Sequence, residues 1–387
     1  MKKASLTAKG IERALDRLAA EAPVVPLSRG RRWVILSDLH MGNGGPKDNF
    51  RPNAELCARV LADHYLGQGF GLILNGDIEE LQRFSLKKIR TRWRSVFDLF
   101  RRFQDGPGLI KLVGNHDLEL VSRKPRANDI PVGEAVKLEW NGGHLLVFHG
   151  HQARLFNAPL TTLSHWVVRL LIKPLGIGNG SVAGHSRKKF RIEKRAYRFA
   201  SRRGLAAVLG HTHRPLFESM SKLDALRFKI EQTCRRLAQA PTAEKSGWER
   251  KVRAGIVEMQ GLLARHDKYD QTGSLYQGVR PMPCLFNSGC ATGKSGLTAI
   301  EIAGGRISLV HWFDGRREGK YLEGKGYLPE ALGDTGYYRL VLKEEALDYV
   351  FTLIRLQTPR LEGQRETAAC GARSGSPELA VLPAGTR

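Results

Sequence analysis

Five short segments concentrate side chains able to hold a metal or move a proton. They are Asp38 and His40 in SDLHMG, Asp77 in NGDIEE, Asn115, His116 and Asp117 in GNHD, His149 and His151 in FHGH, and His211 and His213 in GHTHRP. Alternate side chains of an extended segment point the same way, so Asp-x-His and His-x-His each offer two groups to one centre from one short loop. Gly76, Gly114, Gly150 and Gly210 permit sharp turns beside these groups. Carboxylates, imidazoles and one amide, with no cysteine among them, form a nitrogen and oxygen ligand set that suits manganese, iron or zinc better than soft-metal chemistry. Any one of these segments reads alone as an ordinary turn, since Gly, Asn and Asp are the usual turn residues. Five in succession, each just after a strand, point to a single metal centre.

The elements that must position them alternate between short apolar runs and helical patterns. Runs at 33–37, 72–75, 109–113, 145–148, 206–209, 283–287, 297–302 and 307–312 have strand length, and helical spacing fills 53–66 and 84–103. The pattern predicts an α/β sheet protein whose site lies beyond the strand ends. Two stretches interrupt the rhythm. Residues 152–204 are apolar first and then strongly basic. Residues 218–270 show helical spacing twice, through Leu223, Leu226, Ile230 and Leu237, then Trp248, Val252, Ile256 and Leu263, with Pro241 between them. A helical hairpin is expected there, self-packed or serving as an oligomer contact. Residues 1–30 read as a helix and linker ahead of a domain over 31–356, and 357–387 as a disordered tail rich in Gly, Pro, Ser and Thr.

The chain has 387 residues, with 62 Lys and Arg against 38 Asp and Glu, a formal charge of +24. That excess excludes an acidic solvating chain, and 42% hydrophobic residues exclude a wholly disordered one. Five cysteines at irregular spacing, with no CxxC pair, argue against a disulfide framework. The N-terminus lacks the apolar core of a secretory signal, and the longest apolar stretch, 166–177, is broken by Arg169, Lys173 and Pro174. A cytoplasmic protein is expected, with peripheral contact to the anionic inner face of a membrane left open.

In this order the five clusters resemble the calcineurin-like metallophosphoesterase family, whose pattern is DxH, GDxx, GNH(D/E), a His-Gly element and GHxH. The resemblance covers roughly 31–312. It implies an αββα sandwich with two divalent metal ions at one edge, manganese first with iron or zinc as alternatives. Carried over, Asp38, His40 and His213 would bind one ion, and Asn115, His149 and His211 the other, with Asp77 bridging them. A metal-bridging hydroxide would attack phosphorus. His116 matches the family's catalytic histidine and is the candidate general acid, with Asp117 orienting it. His151 is expected behind the ligands. Within the family the nearest likeness is to UDP-2,3-diacylglucosamine pyrophosphate hydrolases, which also carry a helical insertion before a GHTHRP-like ending. FNSGCATGKSGLTAIEIAGGRISLVHW resembles the same group's asparagine- and glycine-rich turn and strand pair. That group usually has an aspartate where this chain has His151, and the 218–270 hairpin is not expected in it.

Arg187, Lys188, Arg191, Lys194, Arg195 and Arg198, interleaved with Phe190, Tyr197 and Phe199, are candidate contacts to an anionic, phosphate-containing substrate. A second basic run, Lys87, Lys88, Arg90, Arg92 and Arg94 around Trp93, follows the Asp77 loop and extends the same field. The leading expectation is a hydrolase of phosphodiester or pyrophosphate bonds, in a nucleotide-linked or lipid-linked small molecule. A nuclease or protein phosphatase of the same superfamily is the alternative, with nucleic acid the less favoured partner. A non-catalytic scaffold would have lost ligands, yet all seven expected positions are filled.

Overall fold

In the computed structural model the described residues are 2–122, 129–153, 186–219, 222–265, 282–293, 296–318, 322 and 328–358. Helix α1 (Lys2–Glu21) leads into strands β1 (Val24–Pro26) and β2 (Arg32–Leu36), then helix α2 (Ala54–Arg59) and β3 (Phe70–Asn75). Helices α3 (Leu86–Arg92) and α4 (Arg94–Asp105) precede β4 (Leu109–Leu112), the short α5 (Glu119–Ser122), β5 (Val132–Gly133), β6 (Ala135–Trp140) and β7 (Gly143–Phe148). Helix α6 (Ser186–Arg203), β8 (Ala206–Leu209), helices α7 (Lys222–Gln239) and α8 (Thr242–Arg265), and β9 (Leu285–Asn287) come next. Strands β10 (Leu297–Ala303), β11 (Arg306–Asp314), β12 (Glu330–Ala331) and β13 (Tyr337–Ala346) and helix α9 (Leu347–Gln357) complete the described chain.

The strands form two sheets, one ordered β1, β6, β7, β8, β9 and the other β12, β13, β11, β10, β2, β3, β4, β5. Period-two alternation decides which side chain goes where. Trp33 and Ile35 of β2 and Ile73 of β3 join Val136, Leu138, Leu146 and Phe148 of the other sheet in one core. Their neighbours Val34, Leu36, Leu72 and Leu74 point the other way and pack on Leu56, Val60, Phe97 and Phe100. Both faces of the central parallel strands are therefore covered, which is why β2, β3 and β8 read as continuous apolar runs. Ile11, Leu15 and Leu18 of α1, with Ile192, Ala196 and Phe199 of α6, cover the outside of the first sheet. The result is a mixed α/β fold of two sheets between helical layers.

All eight apolar runs are found as strands. Within residues 1–30, β1 pairs in parallel with β6, and the buried stripe of α1 belongs to the common core. The helical pattern over 84–103 breaks at Trp93, where the backbone leaves helical geometry. Its indole N–H is committed to Gly42 O (3.1 Å) and Asp48 Oδ2 (3.0 Å). The pattern over 53–66 starts in a 3-10 turn and ends in π-helix. The hairpin over 218–270 forms as α7 and α8, closed upon itself: Leu226 and Val252 are buried, and a methyl at Gly255 would come within 2.9 Å of Ile230. Of the basic insertion, α6 is described, while 154–185 and the tail over 359–387 lie outside the described residues. No helix among the described residues is long and apolar enough to cross a membrane.

Candidate metal centre

The loops leaving β2, β3, β4, β7 and β8 meet at one edge of the two sheets. The first two continue to pair beyond their strands: Asp38 N donates to Gly76 O (3.0 Å), His40 N to Asp77 O (2.9 Å) and Met41 N to Ile78 O (2.8 Å). Across the sheets His211 N donates to Asp38 Oδ2 (2.9 Å), and between the neighbouring loops after β3 and β4 His116 N donates to Asp77 Oδ1 (2.7 Å). Among the described residues, five of the eight non-glycine positions with positive φ are Asp38, His40, Asp77, His211 and His213. A left-handed backbone costs an L-residue about 1 kcal/mol or more, so the fold holds strain at the metal-type side chains. Close approach makes the same demand on two glycines. A Cβ on Gly76, at φ +78, would lie 2.6 Å from the His149 ring, and one on Gly114 would collide with the Asp77 carboxylate.

Three trios of side chains converge: Asp38, His40 and His213; His40, Asp77 and His116; and Asp77, His149 and His211, the ligand atoms of each lying within 4.8 Å of one another. His213 Nε2 is 3.2 Å from Asp38 Oδ1 and 3.2 Å from His40 Nε2, while His149 Nε2 is 3.2 Å from Asp77 Oδ2. Asp77 thus belongs to a trio on each side. Asp38 Oδ1, Asn115 Oδ1, His149 Nε2 and His211 Nε2 are buried with no hydrogen-bond partner. Such atoms are costly in a folded interior unless something else satisfies them. All are hard or borderline donors that a divalent cation would satisfy.

The groups behind these donors fix their orientation. His149 Nδ1–H donates to Asn75 O (2.9 Å), which leaves the Nε2 lone pair facing the centre. His40 Nδ1–H donates to Glu80 Oε2 (3.0 Å), with the same consequence, and His116 Nδ1–H donates to Glu80 Oε1 (2.8 Å). Glu80 is the residue that sequence reasoning missed. It replaces Asp117 as the partner of His116: the Asp117 carboxylate instead accepts Ile78 N–H (2.7 Å) and Gly114 N–H (2.6 Å), bracing the Asp77 and Asn115 loops from beneath. Consecutive side chains diverge, so the neighbour in sequence is not the neighbour in space. Glu79 points away from Glu80 to a buried ion pair with Lys111.

Carboxylates and imidazoles in the centre shift one another's protonation. Burial opposes ionisation of Asp38, yet the imidazoles of His213 and His149 overcome it and hold the group well below the usual carboxylate range. Burial is likewise outweighed at Asp77 by His149, and at Glu80, lowered to about 2, by its bonds to His116 and His40. The reciprocal effect outweighs desolvation at His149 and His213: Asp77 and Asp38 raise the first to about 9, and Asp38 the second to about 9. His211 goes the other way, pushed well below its ordinary value by burial and by the charge of His149. Asp117 is pushed up to about 7 by burial and by Asp77 and Glu79.

No family model and no curated protein matches the chain. Solved structures similar to it include a conserved protein of Streptococcus pneumoniae TIGR4 described as a predicted phosphoesterase, at 12% identity over 73% of this chain and 89% of that one, TM-score 0.26. Vacuolar protein sorting 29 of Cryptosporidium parvum matches at 12% identity over 82% of this chain and 100% of that one, TM-score 0.33. A single mutant of Vps29 from Entamoeba histolytica matches at 9% identity over 73% and 92%, TM-score 0.27.

The candidate substrate contacts fall into different places. Arg191 and Arg198 are exposed on α6. Arg195 Nη1–H donates to Ala153 O (2.9 Å), in the turn that carries His151. Lys194 is half-buried, and the side chains of Arg187 and Lys188 lie outside the described residues. Arg202 and Arg203 pair with Glu12 (3.0 Å) and Asp16 (2.8 Å) of α1 and so serve packing. In the second basic run Arg90 pairs with Asp129 (2.6 Å) and Arg92 lies over the Trp93 ring. His151 is buried, its ring centroid 5.6 Å from that of His149.

Proposed function

We propose that the chain is a phosphoesterase that holds two divalent metal ions, with Asp38, His40 and His213 on one ion, Asn115, His149 and His211 on the other, and Asp77 shared. The observation that carries this reading is the convergence of Asp38, His40, Asp77, His149, His211 and His213 in trios of ligand atoms, with Asp38 Oδ1, His149 Nε2, His211 Nε2 and, in the loop after β4, Asn115 Oδ1 buried and without a hydrogen-bond partner. Two such ions supply a water-derived nucleophile near neutral pH and neutralise phosphate oxygens. This chain's residues do the rest. Asn75 and Glu80 hold His149 and His40 in the tautomer that presents Nε2. His116, oriented by Glu80 and with Nε2 4.0 Å from Asp77 Oδ2, faces the same centre and serves as the general acid toward the leaving oxygen. Asp117 positions the Asp77 and Asn115 loops and touches no reacting atom.

The metal in this reading is manganese, with iron or zinc fitting the same ligand set. The substrate is an anionic small molecule with a phosphodiester or pyrophosphate bond, drawn in by the basic field of α6. The sequence likeness to UDP-2,3-diacylglucosamine pyrophosphate hydrolases makes a nucleotide-linked lipid precursor a specific case, met at the inner face of a membrane. The test is turnover by the full chain, loaded with manganese, on a panel of UDP-sugar lipids, dinucleotides, single-stranded DNA and phosphopeptides. Hydrolysis of a small phosphodiester or pyrophosphate is expected. Cleavage restricted to nucleic acid, with steep salt dependence, would make the chain a nuclease, and no hydrolysis of any member would refute the enzyme reading.

A further inference from the structure

Helix α6 carries a single acid, Glu193, in a run of lysines and arginines, and that acid has no solvent exposure. A buried carboxylate persists only where hydrogen bonds and an opposite charge satisfy it. Its partners stand on the GHTHRP loop. Thr212 Oγ1–H donates to Glu193 Oε1 (2.9 Å), Arg214 Nε–H donates to the same oxygen (3.2 Å), and Arg214 Nη2 forms an ion pair with Oε2. The direction of the threonine bond is forced from behind. Asn287 Nδ2, at the end of β9, donates to Gly210 O (2.9 Å) and to Thr212 Oγ1 (3.0 Å), so the hydroxyl accepts from Asn287 and its one proton goes to Glu193.

The loop that Glu193 grips is strained. His211 and His213, on either side of the buried Thr212, hold left-handed backbone at φ +62° and +55°. Such a conformation persists where its surroundings over-determine it. Commitments alternate along the loop: His211 and His213 each join a trio of metal-type ligands, while Thr212 and Arg214 go to Glu193. The same stretch of helix also touches the other histidine loop, since Arg195 Nη1–H donates to Ala153 O (2.9 Å) in the turn after His149. The far end of α6 is held independently, by Arg202 and Arg203 on Glu12 and Asp16 of α1.

We propose, resting on the dimetal reading above, that Glu193 is a positioning residue for the metal centre: through Thr212 and Arg214 it holds His211 and His213 in the strained backbone that delivers one ligand to each ion. Glu193 touches no reacting atom. One loop serves both ions, so loss of the tether weakens both, whereas Glu80 acts on His40 and His116 alone. The coupling is reciprocal: a helix whose docking favours metal is itself held more firmly once metal is bound.

The test uses the full chain with manganese alone, affinity being read by calorimetry below the melting temperature of every variant. Thr212→Val removes the hydroxyl, keeps the side-chain shape and spares the ion pair of Glu193 with Arg214; it is expected to bind both ions about tenfold more weakly. Thr212→Ser restores the hydroxyl and should recover most of the loss. Glu193→Gln should weaken both ions at least as much, because its NH2 opposes an N–H of Arg214 in either orientation. Asp16→Ala breaks ion pairs at the far end of the same helix and should leave affinity unchanged. In wild type, manganese should also slow amide hydrogen exchange in α6 around Glu193, and in Thr212→Val it should not. Wild-type affinity in Thr212→Val, or wild-type protection of α6 by metal in that variant, overturns the assignment. Thr212→Ser as weak as Thr212→Val overturns it too, as does equal weakening by Asp16→Ala, which would make general docking of the helix the cause. A wild type that takes up no manganese overturns the dimetal reading and this inference together.

Discussion

Replacing Glu80 by Gln tests the orientation of the site with a change of two atoms' chemistry and almost no change of shape. The carboxylate accepts one N–H from His40 (3.0 Å) and one from His116 (2.8 Å). An amide offers a single carbonyl oxygen, so its NH2 must face the Nδ1–H of one histidine. That ring must turn away or move its proton to Nε2. At His40 the second choice removes the lone pair meant for metal; at His116 it alters the nitrogen that faces the leaving oxygen. Each hydrogen bond to a charged group contributes about 1.5–3 kcal/mol. Losing one predicts a fall in turnover of roughly tenfold to a hundredfold, since 1.4 kcal/mol is about tenfold. The assay is steady-state hydrolysis of bis-p-nitrophenyl phosphate by the manganese-loaded variant, with metal content measured on the same sample. Loss of one ion would place the damage at His40, and two ions with low kcat would place it at His116. Wild-type kcat together with wild-type metal affinity would refute the shared-carboxylate argument.

Other substitutions separate metal binding from proton transfer. Asp77→Asn and Asn115→Ala should each lose metal and activity together, measured as ions per chain and hydrolysis rate, whereas His116→Ala should keep its metal and lose most turnover. Full turnover in His116→Ala would remove that residue from the acid role. The raised His149 and His213, both at about 9 against an ordinary 6.5, set opposite pH slopes for the two forms of the protein. Without metal, their contribution to stability is complete below pH 6.5 and is lost as pH rises through 9, so denaturation midpoints should fall across that window. Metal must displace those protons, so metal affinity should rise over the same window by about tenfold per pH unit for each proton released, as read by calorimetry at several pH values. Asp117→Asn should lower the melting temperature, because the amide NH2 faces one of the two backbone donors, Ile78 N–H or Gly114 N–H, that the carboxylate now accepts.

The proposed ligands are legible in the sequence because each follows a buried strand, and alternation alone sends Asp38 and His40, or His211 and His213, to one side of a loop. The strands were legible where both faces are buried, as in β2, β3 and β8. They were not where the chain is short or half-exposed: β6 and β13 mix Lys and Glu with apolar residues, and β1 and β5 run for three and two residues. Glu80 stayed hidden because NGDIEE offers two adjacent acids, and only the fold sends Glu79 to Lys111 and Glu80 to the histidines. Asp117 misled for the same reason, its adjacency to His116 meaning divergence of the two side chains. Glu193 was masked by the arginines and lysines around it, although a single acid in a basic helix is a sign of a buried partner.

The most direct measurement is a crystal structure of the manganese-loaded chain with anomalous scattering recorded at the manganese edge. Two peaks about 3.5–4 Å apart are predicted, with Asp77 touching both, Asp38, His40 and His213 on one, and Asn115, His149 and His211 on the other. A single peak, or density that leaves Asn115 and His211 without a metal, would contradict the dimetal account.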